Sequence, residues 1–196
     1  MDRKEKASLL LKVKDINVNV QDNSGDTPLL RAVRLGPGAV VGLLLEHQDV
    51  DVNLRGKDGD TPLLRAVELN AVSVASLLLK HNGVDVNAPD KGGVAPLLRA
   101  VKLRRRSMVK LLLEHSFVDV NVRDRSGRSS LWWAVYQGSE AIVELLLERP
   151  DIDLGGGAPE PCDALEETSP LEMARKRGYS RTATILEQRM RQKQVQ

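Results

Sequence analysis

The chain has 196 residues, of which 29 are Lys or Arg, 27 are Asp or Glu and one is cysteine. An apolar content of 41% supports a packed core and excludes a disordered chain, and a net charge of +2 gives no reason to expect general nucleic-acid binding. The lone Cys162 cannot form an internal disulfide, no leader sequence opens the chain, and no apolar run approaches the roughly 18 residues that span a bilayer. We therefore expect a cytoplasmic or nuclear protein without a transmembrane segment.

Three sequence blocks recur at one spacing of 34 residues. Thr-Pro-Leu-Leu-Arg-Ala-Val stands at 27–33 and 61–67, and related copies follow at 95–101 and 129–135. Leucine triplets stand at 9–11, 43–45, 77–79, 111–113 and 145–147, and Val-Asp-Val-Asn or a close relative at 16–19, 50–53, 84–87 and 118–121. A shared period in three blocks indicates a repeat array.

Each unit is predicted to contain two short helices and a finger. Thr27, Thr61 and Ser129 are suited to cap a first helix, in which Pro28 and Pro62 take the first position. The first helix should end near Gly36, Asn70, Gly138 and Gly178, before a second helix that carries the leucine triplet. The alternating Val-Asp-Val-Asn segment and the glycine six residues after it, at Gly25, Gly59, Gly93 and Gly127, predict an extended finger with a turn.

The unit resembles an ankyrin repeat, whose Asp-x-x-Gly-x-Thr-Pro-Leu opening matches residues 22–29. The resemblance implies an all-α repeat solenoid of stacked helix-turn-helix repeats with short β-hairpin-like fingers. It divides the chain into a leading half repeat (1–20), four repeats (21–154), a Gly/Pro/Glu-rich insertion loop (155–168) and a C-terminal capping repeat with a polar tail (169–196). It also implies a non-enzymatic scaffold that binds another protein and has no catalytic residues.

Three features depart from the family pattern. The usual His after Pro-Leu, which ties neighbouring repeats by hydrogen bonds, is replaced by Leu30, Leu64, Leu98 and Trp132, so we expect apolar packing to take over that task. The period of 34 is similar to that of ankyrin arrays of fungal proteins. Arg104 stands at a glycine position, where a left-handed conformation costs of order 1 kcal/mol, so we expect the third repeat to be the least regular.

The two ends of the array are predicted to differ. Basic residues around a thin apolar stripe that includes Met173 and Leu186 indicate a polar cap at the end. The leading helix is either a minimal cap, which predicts a monomer, or the end of a longer array, in which case exposed leucines at 9–11 favour self-association. The insertion that contains Cys162 is either a tolerated loop or a short recognition segment.

No residue pattern predicts catalysis, a cofactor or a metal site. His47, His81 and His115 hold one position in successive repeats, and helices that stack about 8 to 10 Å apart cannot bring their rings onto a single ion. We expect each imidazole, partly protonated, to stabilise the negative end of the second helix. No phosphate-binding glycine loop and no His-Glu-x-x-His motif occurs, so a small-molecule substrate is not expected either.

Arg31, Arg65 and Arg99 repeat at one position of the first helix, with Trp133 as the fourth member. One interpretation is structural: the guanidinium groups pair with local carboxylates such as Glu68. The other is that they line a groove and grip an acidic segment of a partner. Trp133 is either stacked under Arg99 or exposed as a binding anchor, and Trp132 is predicted to lie in the core.

The candidate protein-binding residues combine this position with the finger and the end of the first helix, where the family contacts its partners. They are Arg31, Arg65, Glu68, Lys91, Arg99, Lys102, Arg125, Arg128, Trp133 and Tyr136. Basic residues are concentrated in repeats three and four, which predicts an acidic partner segment. An alternative is that this patch binds an anionic lipid or RNA phosphate, which the low net charge and the lack of interleaved aromatics disfavour.

Overall fold

The computed structural model describes residues 3–11, 13, 16–35, 38–155 and 169–194. These residues form helices and turns without a named strand. The helices are α1 (Arg3–Leu10), α2 (Pro28–Leu35), α3 (Gly38–Leu45), α4 (Pro62–Glu68), α5 (Val72–Leu79), α6 (Pro96–Lys102), α7 (Arg106–Leu113), α8 (Ser130–Tyr136), α9 (Glu140–Leu147), α10 (Pro170–Lys176) and α11 (Ser180–Gln194). They belong to two compact units, Met1–Lys91 (unit 1) and Gly92–Gln196 (unit 2).

Unit 1 contains two complete helix pairs and the single helix α1. The first helices α2 and α4 pack against each other and against their own second helices, and the second helices α1, α3 and α5 pack in a row. The core is formed by buried leucines and valines such as Leu29, Leu63, Val67 and Leu78. Many small aliphatic side chains thus fill the space between short helices, as the low aromatic content predicts.

Unit 2 repeats this arrangement with three helix pairs. The first helices α6, α8 and α10 pack in order, and α7, α9 and α11 form the second row. Leu98, Leu112, Leu131 and Leu146 are fully buried between them. The helix-turn-helix repeats predicted from the sequence are therefore confirmed within each unit.

The predicted caps of the first helices are present. The Oγ1 atoms of Thr27 and Thr61 accept hydrogen bonds from the amides of Leu30 and Leu64 at 3.1 and 3.2 Å. Ser129 does the same for Trp132 at 3.1 Å. Each cap satisfies a backbone donor that the helix itself leaves free.

The turns between paired helices have one common geometry. Asn70 and Arg104 take the left-handed conformation with φ of 54° and 56°, and Gly138 and Gly178 do so with 64° and 72°. The Arg104 turn has the same two backbone hydrogen bonds as the Asn70 turn. The turn of the third repeat is therefore as regular as that of its neighbour, whereas its first helix, α6, begins after Ala95 without the side-chain cap that the other first helices have. Gly36 lies outside the described residues.

The fingers are tight turns rather than paired strands. In the first, the amide of Asp22 donates to the carbonyl of Asp26 at 3.0 Å, and Gly25 has a φ of 71°. A Cβ atom on Gly25 would lie 3.0 Å from the backbone nitrogen of Lys57, so the neighbouring finger also requires glycine here. Within the described residues, the isolated antiparallel bridge between Arg123 and Ser129 is the remaining trace of the hairpin.

Neighbouring repeats are tied by asparagine side chains as well as by apolar packing. The Asn19 amide donates to the carbonyl of Asp49 at 2.7 Å and accepts from the amide of Asp51 at 2.8 Å. Asn53 and Asn121 make the same pair of bonds to the next repeat. Leu30, Leu64, Leu98 and Trp132 are buried, as apolar packing at the histidine position requires. The bonds of Asn19, Asn53 and Asn121 add to this packing and were not predicted from the sequence.

The ends of the two units differ in how their apolar side chains are covered. On α10 and α11, Met173, Ala183 and Leu186 are buried, and basic side chains surround them. On α1, Leu9 and Leu10 are exposed. The predicted insertion, including Cys162, lies outside the described residues except for Gly155.

Candidate functional site

Arg31 is held by a carboxylate of its own finger. Its Nη1 atom lies 3.0 Å from Oδ2 of Asp22. The pKa of the Asp22 carboxyl is lowered, first by the hydrogen bond from the amide of Asp26 and then by the amide of Ser24 and by Arg31. Both members of the pair are partly exposed, so its contribution to stability is small.

Arg65 is surrounded by three carboxylates. Its guanidinium lies 3.1 Å from Asp58, 3.2 Å from Asp60 and 2.9 Å from Glu68, and its side chain is 17% exposed. In this repeat Gly56 stands at the position of Asp22, and Asp58, Asp60 and Glu68 supply the carboxylates instead. For Arg31 and Arg65 the structure therefore shows the local ion pairs of the structural interpretation.

Trp133 makes the same contact as Arg31 although its side chain is different. Its Nε1 atom donates to Oδ2 of Asp124 at 2.9 Å, and Asp124 is the finger aspartate that corresponds to Asp22. The guanidinium of Arg31 and the indole N–H of Trp133 thus both donate to the finger aspartate from the same position of the first helix. The sequence holds this signal, since an aspartate nine residues before a donor occurs in both repeats, but our sequence analysis missed it.

Asp124 joins the finger to the first helices of unit 2. It also accepts a hydrogen bond from Lys102 at 2.7 Å and from the amides of Ser126 and Arg128 at 3.1 Å. Burial raises the pKa of the Asp124 carboxyl, but the bonds from Lys102, Trp133 and the Arg128 amide outweigh it, so this pKa is lowered. The carboxylate is therefore ionised at neutral pH and fixes the positions of Lys102 and Trp133.

Asp124→Asn tests this role through the pH dependence of stability. Since the folded-state pKa lies below the unfolded value of about 3.9, the carboxylate stabilises the fold above that pH and the contribution is lost as the pH falls. We expect the variant to be less stable by about 1 to 2 kcal/mol at neutral pH and equal to wild type in strong acid. Urea unfolding at several pH values measures this. A constant difference at all pH values, or a loss equal to that of the exposed control Asp49→Asn, would contradict the assignment.

An aromatic cluster forms beside this carboxylate from Trp132, Trp133 and Tyr136. Trp132 is buried, as predicted, and the Tyr136 ring stacks on it at a centroid distance of 5.0 Å and an interplanar angle of 12°. Trp133 meets both rings edge to face at 5.3 and 5.7 Å. Tyr136 is 40% exposed, so the aromatic cluster presents one large ring to the surroundings.

Cations lie over the faces of these rings. Lys102 Nζ is 4.4 Å from the Trp133 centroid, and the Arg128 guanidinium is 4.7 Å from that of Trp132. The Arg177 guanidinium lies 4.2 Å from the Tyr136 centroid. Such contacts orient a cation without neutralising it. Arg177 was not among the predicted residues, because its repeat lies 41 residues further along the chain.

The remaining predicted residues take several positions. Lys91 donates to the carbonyl of Lys57 on the neighbouring finger of unit 1, whereas Arg99 lies half-buried on α6. Arg125 lies exposed on the finger of the fourth repeat. Within unit 2 the structure thus brings Lys102, Arg128, Trp133 and Tyr136 together.

The surroundings of the aromatic cluster are strongly basic. Residues 99–128 contain nine Lys or Arg against three Asp or Glu. Arg105, Arg106 and Lys110 are exposed, and within the described part of the chain they have no ion-pair partner. This segment of unit 2 therefore carries cations that are not used inside the fold.

His47 and His81 make local contacts with the backbone that follows the second helix. Nδ1 of His47 accepts a hydrogen bond from the amide of Asp49 at 3.3 Å, and His81 accepts one from Gly83 at 3.2 Å. Each of these two rings therefore closes the turn after the second helix by a hydrogen bond to the backbone two residues further on, and stabilisation of the negative helix end stays a prediction. Arg149, at the same position in the fourth repeat, instead donates to the carbonyl of Leu113 at 3.1 Å.

Two further findings concern ligands and membranes. Among the described residues, no group of three or more His, Cys, Asp or Glu side chains is placed to hold a metal ion. None of the helices that the structure describes is long and apolar enough to cross a membrane.

The comparisons with known proteins agree with this architecture. The family model of ankyrin repeats in three copies matches residues 2–90 and 82–155. The chain belongs to the ankyrin-repeat family. No curated protein matches it significantly.

Solved structures of ankyrin-repeat proteins resemble the whole fold. The ankyrin repeat protein EF0377 is 26% identical with a TM-score of 0.81, covering 95% of this chain and 92% of its own. An ankyrin repeat domain (ABAYE2397) from Acinetobacter baumannii AYE is 24% identical with a TM-score of 0.81 over 95% and 96% of the two chains. The ankyrin repeat domain of Bcl-3, a member of the IkappaB protein family, is 25% identical with a TM-score of 0.80 over 95% and 79%.

These comparisons set the general class of function. Ankyrin repeats are non-catalytic scaffolds for protein–protein interaction. The resemblance to fungal arrays is not tested by these relatives and stays a prediction.

Proposed function

We propose that this protein is a non-enzymatic binding module whose unit 2 holds an acidic segment of another protein. The binding surface consists of the aromatic cluster together with Lys102, Arg125 and Arg128. The observation that carries the proposal is the Tyr136 ring, 40% exposed, stacked on buried Trp132 and in contact with the Arg177 guanidinium. A cytoplasmic or nuclear location agrees with the single cysteine of the chain.

The aromatic cluster is pre-organised for binding. Trp132 is fixed in the core, and Trp133 is fixed by Asp124, so Tyr136 rests on two rings that do not need to be ordered when a partner arrives. Pre-ordered aromatic side chains lose little conformational entropy on binding. Tyrosine, tryptophan and arginine are also the residues that dominate the energy of protein interfaces.

The charge of the surroundings supports an acidic partner. Within residues 99–128, Lys and Arg outnumber Asp and Glu, which creates a positive potential. Such a potential attracts a carboxylate-bearing segment and accelerates its association. Among the residues that the structure describes, Arg105, Arg106 and Lys110 have no ion pair to lose. The proposal is therefore centred on unit 2, whereas Arg31, Arg65, Glu68 and Lys91 belong to unit 1, outside this basic segment.

Affinity capture from a lysate of the source organism tests the proposal with two matched variants. The surface variant combines Arg128→Glu with Tyr136→Ala. The control variant combines Arg191→Glu with Met190→Ala on α11, which likewise reverses one arginine charge and truncates one exposed apolar side chain. Circular dichroism establishes that both remain helical.

The expected result is a protein that wild type and the control retain and that the surface variant loses. If the three chains retain the same proteins, the proposed surface is wrong. If they retain nucleic acid or lipid that is released as the salt concentration rises, the basic residues bind phosphate and the alternative function replaces this one.

A further inference from the structure

The turn that follows helix α5 contains an Asn-Gly pair. The carbonyl of His81 accepts a hydrogen bond from the amide of Val84 at 3.1 Å, so Asn82 and Gly83 take the two central positions of the turn. Of the eight asparagines in the sequence, only Asn82 precedes a glycine. The glycine matters because it has no side chain to keep its amide nitrogen away from the asparagine carboxamide.

The same turn occurs in the other repeats with different central residues. The turns at 47–50, 115–118 and 149–152 are closed by the same backbone bond. Their central pairs are Gln-Asp, Ser-Phe and Pro-Asp. The turn geometry is thus common to the repeats, whereas the Asn-Gly pair belongs to one of them, and the other repeats supply matched replacements for its residues.

Two observations show that this pair is placed to react. Asn82 is exposed, and in the part of the chain that the structure describes no hydrogen bond restrains its carboxamide. The amide of Gly83 donates to Nδ1 of His81 at 3.2 Å. An imidazole nitrogen at this distance is positioned to take the amide proton, as a general base does. Loss of that proton turns the amide nitrogen into a nucleophile next to the carboxamide.

We propose that Asn82 is a site of spontaneous deamidation, with His81 as the base. The nitrogen of Gly83 forms a bond to Cγ of Asn82 and gives its proton to His81. The carboxamide nitrogen takes up that proton and leaves as ammonia, so that a succinimide ring remains. One water molecule then opens the ring. Opening at the main-chain carbonyl carbon leaves isoaspartate, and opening at Cγ leaves aspartate.

The reaction changes a contact that ties two repeats of unit 1. The carbonyl of Gly83 accepts a hydrogen bond from Nδ2 of Asn53 at 2.7 Å, and the amide of Asp85 donates to Oδ1 of Asn53 at 2.8 Å. Isoaspartate adds one carbon atom to the main chain directly before Gly83 and replaces a neutral carboxamide by a carboxylate. The Gly83 carbonyl is thereby displaced from Asn53, so deamidation weakens this tie. The proposed partner surface on unit 2 is not involved, and either proposal can fail without the other.

Mass spectrometry of the full chain, incubated at neutral pH and then digested with trypsin, tests the site. Peptide 81–91 should gain about one dalton at Asn82, and an isoaspartate-specific methyltransferase should label it. Gly83→Asp, which introduces the residue of the first and fourth repeats, should react at least about tenfold more slowly. An unmodified peptide, a reaction at Asn82 no faster than at Asn23, or a Gly83→Asp chain that reacts like wild type overturns the proposal.

The base is tested by His81→Arg, because Arg149 takes this position in the fourth repeat. We expect the variant to deamidate at least about tenfold more slowly than wild type, and free imidazole added to the buffer should restore part of the rate. The reaction at Asn23 should be the same in both chains. A His81→Arg chain that deamidates as fast as wild type overturns the assignment of His81 as the base.

Hydrogen exchange measured by NMR tests the consequence for the tie. Ion-exchange chromatography separates the deamidated chain, which carries one more negative charge. Its Asp85 amide should exchange as fast as in Asn53→Ala, whereas the Asp153 amide, which donates to Asn121 at 2.7 Å, should keep its protection. Equal protection of the Asp85 amide before and after deamidation overturns the weakening of the tie.

Discussion

The surface variant Arg128→Glu with Tyr136→Ala is expected to bind the captured partner at least about thirtyfold more weakly than wild type, a loss of about 2 kcal/mol. Loss of the Tyr136 ring removes an apolar contact and should mainly raise the dissociation rate. Reversal of the Arg128 charge weakens the attraction of an acidic segment and should mainly lower the association rate. Surface plasmon resonance at two salt concentrations separates the two effects.

The single variants and the control make this prediction specific. Tyr136→Ala should leave the salt dependence of association unchanged, whereas Arg128→Glu should reduce it. The control variant on α11 should bind as wild type. Trp133 is left intact because it also holds Asp124, and its loss would disturb the fold and the surface together. Equal affinity of a folded surface variant and wild type would refute the proposed surface.

Replacement of Trp132 is expected to have the largest effect on stability. Trp132→Ala removes a buried indole that packs under Tyr136, and we expect it to lower the free energy of unfolding by about 3 to 5 kcal/mol. Trp132→Leu should cost much less, since Leu30, Leu64 and Leu98 are buried at the same position of the other repeats. Chemical denaturation of the two variants measures both values.

Trp132→Leu also separates the fold from the function. The variant keeps the repeat packing but removes the ring on which Tyr136 stacks and over which the Arg128 guanidinium lies. We expect a stable chain with weakened partner binding. Unchanged binding would show that the stacked arrangement is not needed, and a loss of stability as large as that of Trp132→Ala would show that this core position is specific for the indole.

The repeat pattern made the helices and caps predictable from the sequence. Capping by Thr27, Thr61 and Ser129 depends on residues within one turn of each other, and the left-handed residues at the turns are short-range features too. The burial of Trp132 followed from its alignment with Leu30, Leu64 and Leu98. The sequence also supplied the list of candidate protein-binding residues, because the position of a residue in the repeat determines whether it lies on the first helix or on the finger.

Partner choice among polar side chains could not be predicted in this way. Arg65 is surrounded by Asp58, Asp60 and Glu68, and the sequence could name only Glu68 as one possible partner. The bond from Trp133 to Asp124 was missed because an indole was not recognised as a donor at the position of Arg31, although the nine-residue spacing is the same.

By itself, the sequence determined the family, the repeat length and the order of the helices. These features depend on short-range conformational preferences and on a sequence block that occurs four times at a spacing of 34 residues. Only the tertiary structure decided that asparagines tie neighbouring repeats, that the histidines accept hydrogen bonds and that Arg177 reaches Tyr136. It also showed that Leu9 and Leu10 of α1 are exposed. The asparagine and Arg177 contacts depend on distances of a few ångströms between groups some 30 to 40 residues apart, and a one-dimensional period does not contain those distances.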